Sequence, residues 1–201
     1  MEEKVEEIVV LPIKNTRISE IWELLGKAYT NNPAHIAIFG KDNFISNERF
    51  FRLILNNKKG DLFTAEVEGA VVGVIGIEKH PQPVSLESEP LQFTRELLLA
   101  AEPIITRLQE RKSIWDKLEL KESHYHFGPV AVLPEFQHKG IGGKMMEYCC
   151  RILDREAETG YLETESVENV KFYSKFGFQV INEMILFGVP SFFMKRFPFP
   201  E

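Results

Sequence analysis

The order of apolar and polar positions in the first sixty residues predicts one strand and two helices. Residues 7–13 form a β-rich apolar run, which is typical of a strand. The next apolar positions recur at helical spacing, at Ile18, Ile21, Trp22, Leu25 and Tyr29. The helix that they predict should end at Asn32, because a residue before proline avoids the helical region. After a loop to residue 43, Ser46 is a suitable N-cap for a second helix, which stops at Gly60.

The middle of the chain predicts a hairpin and a charged helical insert. Two β-rich runs, residues 61–67 and 70–78, are joined at Glu68-Gly69, a sequence typical of a hairpin turn. Residues 91–121 are richer in charge and carry apolar side chains at helix-like intervals, so we interpret them as two helices separated near Pro103. This helical insert, taken as residues 84–121, either decorates the fold or forms a wall of a substrate pocket.

The last eighty residues predict a βαβ unit followed by two more strands. Residues 124–132 predict a strand with a bulge at Gly128-Pro129, because proline lacks the ladder donor of a central strand. The elements expected after it are helices over residues 141–157 and 167–175 and strands over residues 161–165, 178–187 and 191–197. Gly160 is expected to end the first of these helices. This order predicts a mixed α/β sheet.

Composition narrows the class of protein. The 201 residues suit one domain, and the net charge of −6 argues against nucleic acid or an anionic membrane as a partner. No apolar stretch approaches the ~20 residues of a membrane span, and the acidic start lacks the features of a signal peptide. We therefore expect a cytoplasmic location. The adjacent Cys149 and Cys150 are interpreted as buried apolar residues, with no metal-ligand spacing around them.

The segment with the clearest chemistry is residues 126–144, HFGPVAVLPEFQHKGIGGK. A predicted strand runs into a glycine-rich turn and then into a helix start, where unpaired backbone N–H groups can bind phosphate oxygens. Gly140, Gly142 and Gly143 let the backbone approach an anion, although glycines at such positions also serve close packing alone. The segment lacks the G-x-x-x-x-G-K-[ST] pattern and the dinucleotide-binding fingerprint.

Two motifs in this half of the chain resemble those of the GNAT acetyltransferases. Gln137-x-x-Gly140-x-Gly142 is similar to the Q/R-x-x-G-x-G/A signature of that superfamily, and it follows the strand ending Val130-Ala131-Val132 at the same distance. Leu162-Glu163-Thr164 and residues 169–178, NVKFYSKFGF, resemble the L-E-T…N-V-x-F-Y-x-x-x-G-F ending of the family. Together the motifs cover residues 123–180.

The resemblance implies a fold class and a branch. The implied fold is α/β, an α+β mixed sheet of about seven strands with a splayed fourth strand and flanking helices, plus the helical insert, all in one domain over residues 1–201. A nearer similarity, to the puromycin N-acetyltransferase-like branch, rests on His124-Tyr125-His126-Phe127 and on Tyr29…Asn32-Pro33.

The resemblance also implies acetyl-CoA as cosubstrate and no metal ion. The pantetheine arm would lie along the splayed strand, and the glycine loop would hold the pyrophosphate. The cofactor-binding residues implied in this way are Val130, Ala131, Val132, Gln137, His138, Lys139, Gly140, Ile141, Gly142, Gly143, Lys144, Asn169 and Tyr173.

Two catalytic residues follow from the same resemblance. Tyr173 matches the general acid that protonates the departing thiolate, with core packing as the alternative interpretation. His126 stands where some members carry a catalytic glutamate, and a histidine can take a proton from the attacking amine near neutral pH. His124 should share its strand face, and both could instead be hydrogen-bonded structural histidines. Glu78 and Glu165 are alternative bases or ammonium anchors, or surface residues, and a water chain could also serve.

The function that the sequence predicts is acetyl transfer to a primary amine of a small molecule, by direct attack in a ternary complex. The Val132 N–H is the expected oxyanion donor. Three alternatives stay open, namely an acetyltransferase for protein N-termini or lysines, a non-catalytic sensor of acyl-CoA, and a nucleotide-binding domain. The oligomeric state, including a homodimer, is also left open.

Overall fold

A computed structural model describes residues 7–57, 60–81 and 102–199 of the protein. Its centre is a seven-stranded sheet. The strands are β1 (Ile8–Pro12), β2 (Asp61–Val67), β3 (Ala70–His80), β4 (His124–Val132), β5 (Thr159–Thr164), β6 (Gln179–Leu186) and β7 (Val189–Arg196). They lie in the order β1-β2-β3-β4-β5-β7-β6. Neighbours are antiparallel except β4 and β5, which are parallel because a helix connects them.

Helices cover both faces of the sheet. They are α1 (Ile18–Ala28), α2 (Pro33–Phe39), α3 (Phe44–Asn57), α4 (Glu102–Leu118), α5 (Ile141–Arg155) and α6 (Val167–Ser174), with 3₁₀ turns at Asn15–Arg17 and Pro134–Phe136. One core lies beneath α5 and α6, and includes Met145, Leu162 and Tyr173. The other lies beneath α1, α3 and α4, and includes Leu25 and Val74. The predicted mixed sheet with flanking helices is therefore confirmed.

The bulge predicted in β4 is present, and it exchanges the faces of the sheet to which alternate side chains of the strand point. Ile77 pairs with Phe127 and Ile75 with Val130, so β4 has one residue more than β3 across Gly128-Pro129. Phe127 packs in the core beneath α5, whereas Ala131 packs in the opposite core. Strict alternation would place both on one face, so the extra residue accounts for the change.

Three expectations about element boundaries were wrong. The loop after Asn32 contains α2, because the Asn32 side chain accepts a hydrogen bond from the His35 N–H and Pro33 takes the first helical position. Helix α3 begins at Phe44, so Ser46 lies inside it and is not its cap. Gly160 lies within β5, where an added Cβ would be 2.8 Å from Leu153 Cδ2, so close packing explains the glycine.

The helical insert is described in part. Pro103 lies in the first turn of α4, and Ile105 and Leu108 are buried in the core beneath α1 and α3. The first of the two helices expected in this region lies outside the described residues. Among the helices that the structure describes, none combines the length and the apolar character that a bilayer crossing requires. The cytoplasmic location remains a prediction.

Candidate active site

Strands β4 and β5 separate after three paired positions. The last pair is His126 with Tyr161, and within the described residues β4 then continues beside β3 alone. Strand β5 continues beside β7 as far as Thr164. The gap between residues 127–132 of β4 and residues 162–164 of β5 is called the wedge below. Gly76 permits the bulge at its closed end, because an added Cβ would lie 2.6 Å from the Gly128 carbonyl oxygen.

Of the three β4 residues expected to bind pantetheine through the backbone, two direct their peptide groups into the wedge. The Leu133 N–H donates to the Val72 carbonyl oxygen of β3 at 2.9 Å. Because backbone groups alternate along a strand, the peptide groups of Val132 and Val130 face the wedge, while those of Ala131 face β3. The three residues were expected to offer backbone groups to pantetheine alike. The alternation favours Val130 and Val132 for that role.

The glycine loop at the end of β4 combines an unusual backbone with exposed positions. His138 has φ +62° and Gly140 has φ +82°, and α5 begins at the next residue. The first-turn amides of a helix have no intrahelical acceptor, so those of residues 141–143 are available to an anion. The Ile141 side chain is fully buried, which leaves its N–H as its only contribution. Gln137 donates its side-chain amide to the Val132 carbonyl oxygen at 3.1 Å and so ties the loop to β4.

Gly142 has a packing role that the sequence left open. A Cβ added there would lie 3.3 Å from Phe172 Cζ, so the glycine lets α5 approach α6 closely. Gly140 differs, because no atom lies within 4 Å of an added Cβ and its positive φ is the constraint. The exposed Lys139 and Lys144 add positive charge near the helix start, with Lys139 Nζ 4.8 Å from the Phe136 ring centroid.

Tyr173 is buried on α6, the helix that follows β5. Its side chain packs on Phe178, and it is 7% exposed. Burial raises the pKa of Tyr173, and the nearby Tyr29 and Glu165 raise it further, so the phenol keeps its proton at neutral pH. Asn169, one turn earlier, is exposed and donates from Nδ2 to Thr164 Oγ1 at 3.1 Å. Both predicted residues therefore lie beside the open end of β5.

Tyr29 approaches the wedge from the opposite face of the sheet. It belongs to the core beneath α1, yet its pKa is affected by the Val130 backbone and by Glu165. Burial raises the pKa of Tyr29 to about 12, with Glu165 adding to the rise, while Arg111 and a hydrogen bond with the Val130 backbone oppose it. The sequence indicated Tyr29 through the branch resemblance alone.

His126 and His124 share a strand face, as expected, and both bind Glu119. Glu119 follows α4 directly, and its two oxygens lie 2.6 Å from His124 Nε2 and 3.1 Å from His126 Nδ1. His126 Nε2 lies 2.9 Å from Glu163 Oε2. Burial disfavours a charged ring, but the Glu163 charge and the hydrogen bonds to both carboxylates raise the pKa of His126 to about 10. Burial likewise opposes ionisation of Glu119, yet hydrogen bonds from both histidines lower its pKa to about 2.

This geometry disfavours His126 as the base. A general base needs a free lone pair, and both ring nitrogens of His126 face carboxylate oxygens to which they donate. The contacts of His126 fit the alternative interpretation better, in which it is a hydrogen-bonded structural histidine. Glu163 retains one free position, because its Oε1 is buried without a hydrogen-bond partner among the described atoms.

Glu165 lies at the centre of a second cluster of polar side chains, one of which comes from helix α4 of the insert. Its side chain is 9% exposed, with Arg111 Nη2 3.4 Å from Oε1 and Asn32 Nδ2 3.4 Å from Oε2. The surface interpretation of Glu165 is therefore wrong. The Arg111 guanidinium lies 3.7 Å from the Trp115 ring centroid. Burial lowers the pKa of Arg111, which Glu165 and Glu163 oppose. Because α4 supplies Arg111 and Trp115, the insert contributes to this site as well as to packing.

Sequence reasoning missed Glu119, Glu163 and Arg111 as site residues. Glu163 stood within the Leu-Glu-Thr motif, and its spacing from Glu165 could have placed both carboxylates on one face of β5. Glu119 and Arg111 carried no signal, because only the packing of α4 brings them to the sheet. Glu78, another suggested base, is half-buried and pairs with His126 across β3 and β4.

A protein-family model matches this part of the chain. Residues 106–180 match the acetyltransferase (GNAT) domain, a range that contains the wedge, the glycine loop and Tyr173. The prediction that the chain carries an acetyltransferase domain is confirmed by this match. No curated protein matches the sequence.

Solved structures share the fold over almost the whole chain. A histone acetyltransferase HPA2-related acetyltransferase from Corynebacterium glutamicum is 19% identical with a TM-score of 0.71, and covers 96% of this chain and 98% of its own. An agmatine N-acetyltransferase is 14% identical with a TM-score of 0.62, covering 96% and 100%. The PaiA N-acetyltransferase from Thermoplasma acidophilum, solved with coenzyme A, is 13% identical with a TM-score of 0.56, covering 95% and 99%. These similarities confirm the GNAT-like fold, and the puromycin-like branch stays a prediction.

Proposed function

We propose that this protein transfers the acetyl group of acetyl-CoA to a primary amine, by direct attack in a complex that holds both substrates. The observation that carries the proposal is the wedge between β4 and β5, with the glycine loop after β4 and the buried phenol of Tyr173 on the helix after β5. The acetyltransferase domain match spans all three features. Acetyl-CoA, when bound, supplies an acyl group activated as a thioester.

The wedge suits an extended chain that contains amides. The peptide groups of Val130 and Val132 face it and lie outside the β3 ladder. They can pair with pantetheine amides as with a neighbouring strand, in place of the hydrogen bonds that Tyr29 makes with the Val130 backbone and Gln137 with the Val132 carbonyl oxygen. The first-turn amides of α5 and the charges of Lys139 and Lys144 suit a pyrophosphate. Asn169 on α6 contacts Thr164 at the end of β5, where it can orient the thioester end. A solved neighbour with this fold contains coenzyme A.

The acceptor would bind on the face of the sheet that α4 covers. Glu163 and Glu165 both point to that face, and with Glu119 they supply three carboxylates against the cations His126 and Arg111, a balance that favours a cationic amine. The α4 side chains Arg111 and Trp115 line the same region, which supports an enclosed site and a small-molecule acceptor. A neighbour of this fold is an agmatine acetyltransferase. Another is related to a histone acetyltransferase, so a protein amine is the second candidate.

Proton transfers can be assigned to residues on the two sides of the wedge. The attacking amine arrives mostly as ammonium and must lose a proton, for which the free Oε1 of Glu163 is the available acceptor. His126 holds the other oxygen of Glu163 and so orients the carboxylate. Glu165 anchors the ammonium. The phenol of Tyr173 then donates a proton to the departing thiolate, and the Val132 N–H stabilises charge on the reacting oxygen.

The direct test is a thiol-release assay with acetyl-CoA and a panel of amines that includes polyamines, arylalkylamines and peptides. Release of coenzyme A that depends on one class of amine is the expected result. A chain that binds acetyl-CoA and releases no thiol with any amine would instead be a non-catalytic sensor. A thermal-shift comparison of acetyl-CoA with ATP would separate both from a nucleotide-binding domain, since a ligand that binds the folded state raises the melting temperature.

A further inference from the structure

A cluster of histidine and carboxylate side chains lies at the base of the helical insert, at the opposite end of β4 from the glycine loop. His80 ends β3, Glu119 follows α4 and His124 begins β4. One ligand atom from each of the three lies within 4.8 Å of the other two. Two imidazoles and a carboxylate are a donor set that divalent transition-metal ions prefer.

The hydrogen bonds of His124 orient one ring nitrogen as a ligand. Its Nδ1 lies 2.8 Å from the Glu122 carbonyl oxygen, an acceptor, so Nδ1 carries a hydrogen. The contact of Nε2 with Glu119 Oε1 at 2.6 Å holds a proton, and a metal ion would displace that proton to use the Nε2 lone pair. Two acceptors at this distance require a proton or a cation between them. A histidine that binds a metal commonly donates its other N–H to a backbone carbonyl in this way.

The Glu119 carboxylate is already oriented by hydrogen bonds from residues outside the proposed ligand set. Glu119 Oε2 accepts from His126 Nδ1 at 3.1 Å, and His126 donates its other N–H to Glu163 at 2.9 Å. Glu119 Oε1 therefore remains for the cation. Carboxylates that bind metals are usually oriented by such hydrogen bonds, and these partners are a large part of the affinity.

The third side chain has access to solvent. The His80 ring stacks beside His124, with centroids 5.6 Å apart and planes 25° from parallel. His80 and Glu119 line a cavity of about 220 Å³, together with Pro81, Asp116, Leu120 and Lys121. The cavity provides an entry path and room for a water ligand.

We propose that His80, Glu119 and His124 bind one divalent transition-metal ion of the zinc class, with water completing the coordination. Bonds of about 2.0–2.2 Å place tetrahedral ligand atoms roughly 3.3 Å apart. His124 Nε2 and Glu119 Oε1 must therefore separate slightly, while the His80 nitrogen moves towards them. Rotations of these side chains are sufficient for both changes.

The ligands bracket the insert, which gives the ion a structural effect. His80 precedes the insert and Glu119 lies near its C-terminal end, so a bound ion joins both sides of the insert to the start of β4. Because α4 carries Arg111 and Trp115, the ion would also stabilise one wall of the proposed acceptor site. An ion bound to the folded state alone stabilises that state.

The experiment is a calorimetric titration of the full chain with Zn²⁺, after chelator treatment and removal of any affinity tag. One equivalent is expected to bind, with Mg²⁺ showing no heat, because oxygen-preferring ions do not favour imidazoles. His80→Ala and Glu119→Gln should each weaken binding by more than about 100-fold, since loss of outer partners alone costs about 10–100-fold. Glu158→Gln is the matched control, because this nearby carboxylate contacts Lys79 and Ser123.

Cobalt substitution reports the coordination independently of heat. Co²⁺ should give visible absorption bands of a four-coordinate site in the wild-type chain and in Glu158→Gln, and these bands should disappear in His80→Ala. His80 is half-buried, so its variant should keep the native far-UV spectrum. Absence of stoichiometric binding would overturn the proposal, as would Zn²⁺ binding that is equally tight in His80→Ala and Glu119→Gln. Neither result would bear on acetyl transfer.

Discussion

His126 Nε2 lies 2.9 Å from Glu163 Oε2, across the last position at which β4 and β5 run side by side. The contact joins the two strands where they begin to separate. It also distinguishes a hydrogen-bond donor from a candidate proton acceptor, which the sequence could not do. His126 donates from both ring nitrogens, while Glu163 keeps one oxygen without a partner among the described atoms. We therefore propose Glu163, the residue beside the predicted base, as the proton acceptor.

Glu163→Gln should slow transfer with little effect on the cofactor. Loss of a general base costs about 10²–10⁴-fold in rate, and the amide keeps the shape of the side chain. Steady-state kinetics with a saturating amine would measure the loss. The rise in melting temperature with acetyl-CoA should stay near the wild-type value. An unchanged turnover number would reject Glu163 as the proton acceptor.

Tyr173→Phe should lower the turnover number by about 10²–10⁴-fold, the range for one acid group. The phenol keeps its proton at neutral pH because burial raises its pKa, and phenylalanine preserves the packing on Phe178. Tyr125→Phe is the matched control, since that hydroxyl donates to Glu156 at 2.8 Å, away from the wedge. Equal activity of both variants would show that Tyr173 serves packing alone.

Gly142→Val should abolish the thermal shift caused by acetyl-CoA. The new side chain would cover the first-turn amides of α5 and would also press on Phe172, 3.3 Å from the Cβ position. The double variant Gly142→Val/Phe172→Ala separates these two causes, because it removes the crowded ring. A thermal shift that returns in the double variant would mean that the glycine serves helix packing and not the pyrophosphate.

Glu165→Gln should raise the acceptor's KM by about 10–100-fold, since a hydrogen bond to a charged group contributes about 1.5–3 kcal/mol. The turnover number should change less, because the anchor acts in the bound ground state as well as in the transition state. Initial rates over a range of amine concentrations would separate the two parameters. A lower turnover number with unchanged KM would assign Glu165 to the chemical step.

Cys149 and Cys150 should not react with a disulfide reagent in the native chain at pH 8. Both are buried, and burial raises the pKa of each thiol, with that of Cys150 at about 11, so thiolate is scarce at this pH. Both should react after unfolding in guanidinium chloride. Rapid labelling of the folded chain would contradict the burial. The prediction also implies a low background in the thiol-release assay.

Local patterns were sufficient wherever the signal lay within a few neighbouring residues. Alternation and a turn sequence predicted the β2–β3 hairpin at Glu68-Gly69, and proline predicted the bulge at Gly128-Pro129. The sequence pattern does not predict α2, because Asn32-Pro33 is typical of a helix end, although an asparagine cap followed by proline also begins a helix. The same two residues can therefore stop one helix or begin the next.

The sequence by itself determined the sheet, the glycine loop and the position of Tyr173, because periodicity, turn chemistry and motif spacing act over short stretches of chain. Only the tertiary structure decided which polar side chains meet. Glu119 and Arg111 come from an insert whose direction depends on burying Ile105 and Leu108, and no local pattern encodes that docking. Hydrogen bonds and pKa shifts depend on distances through space, so the contacts of His126, Glu163 and Glu165 appear only when β4, β5 and α4 are assembled.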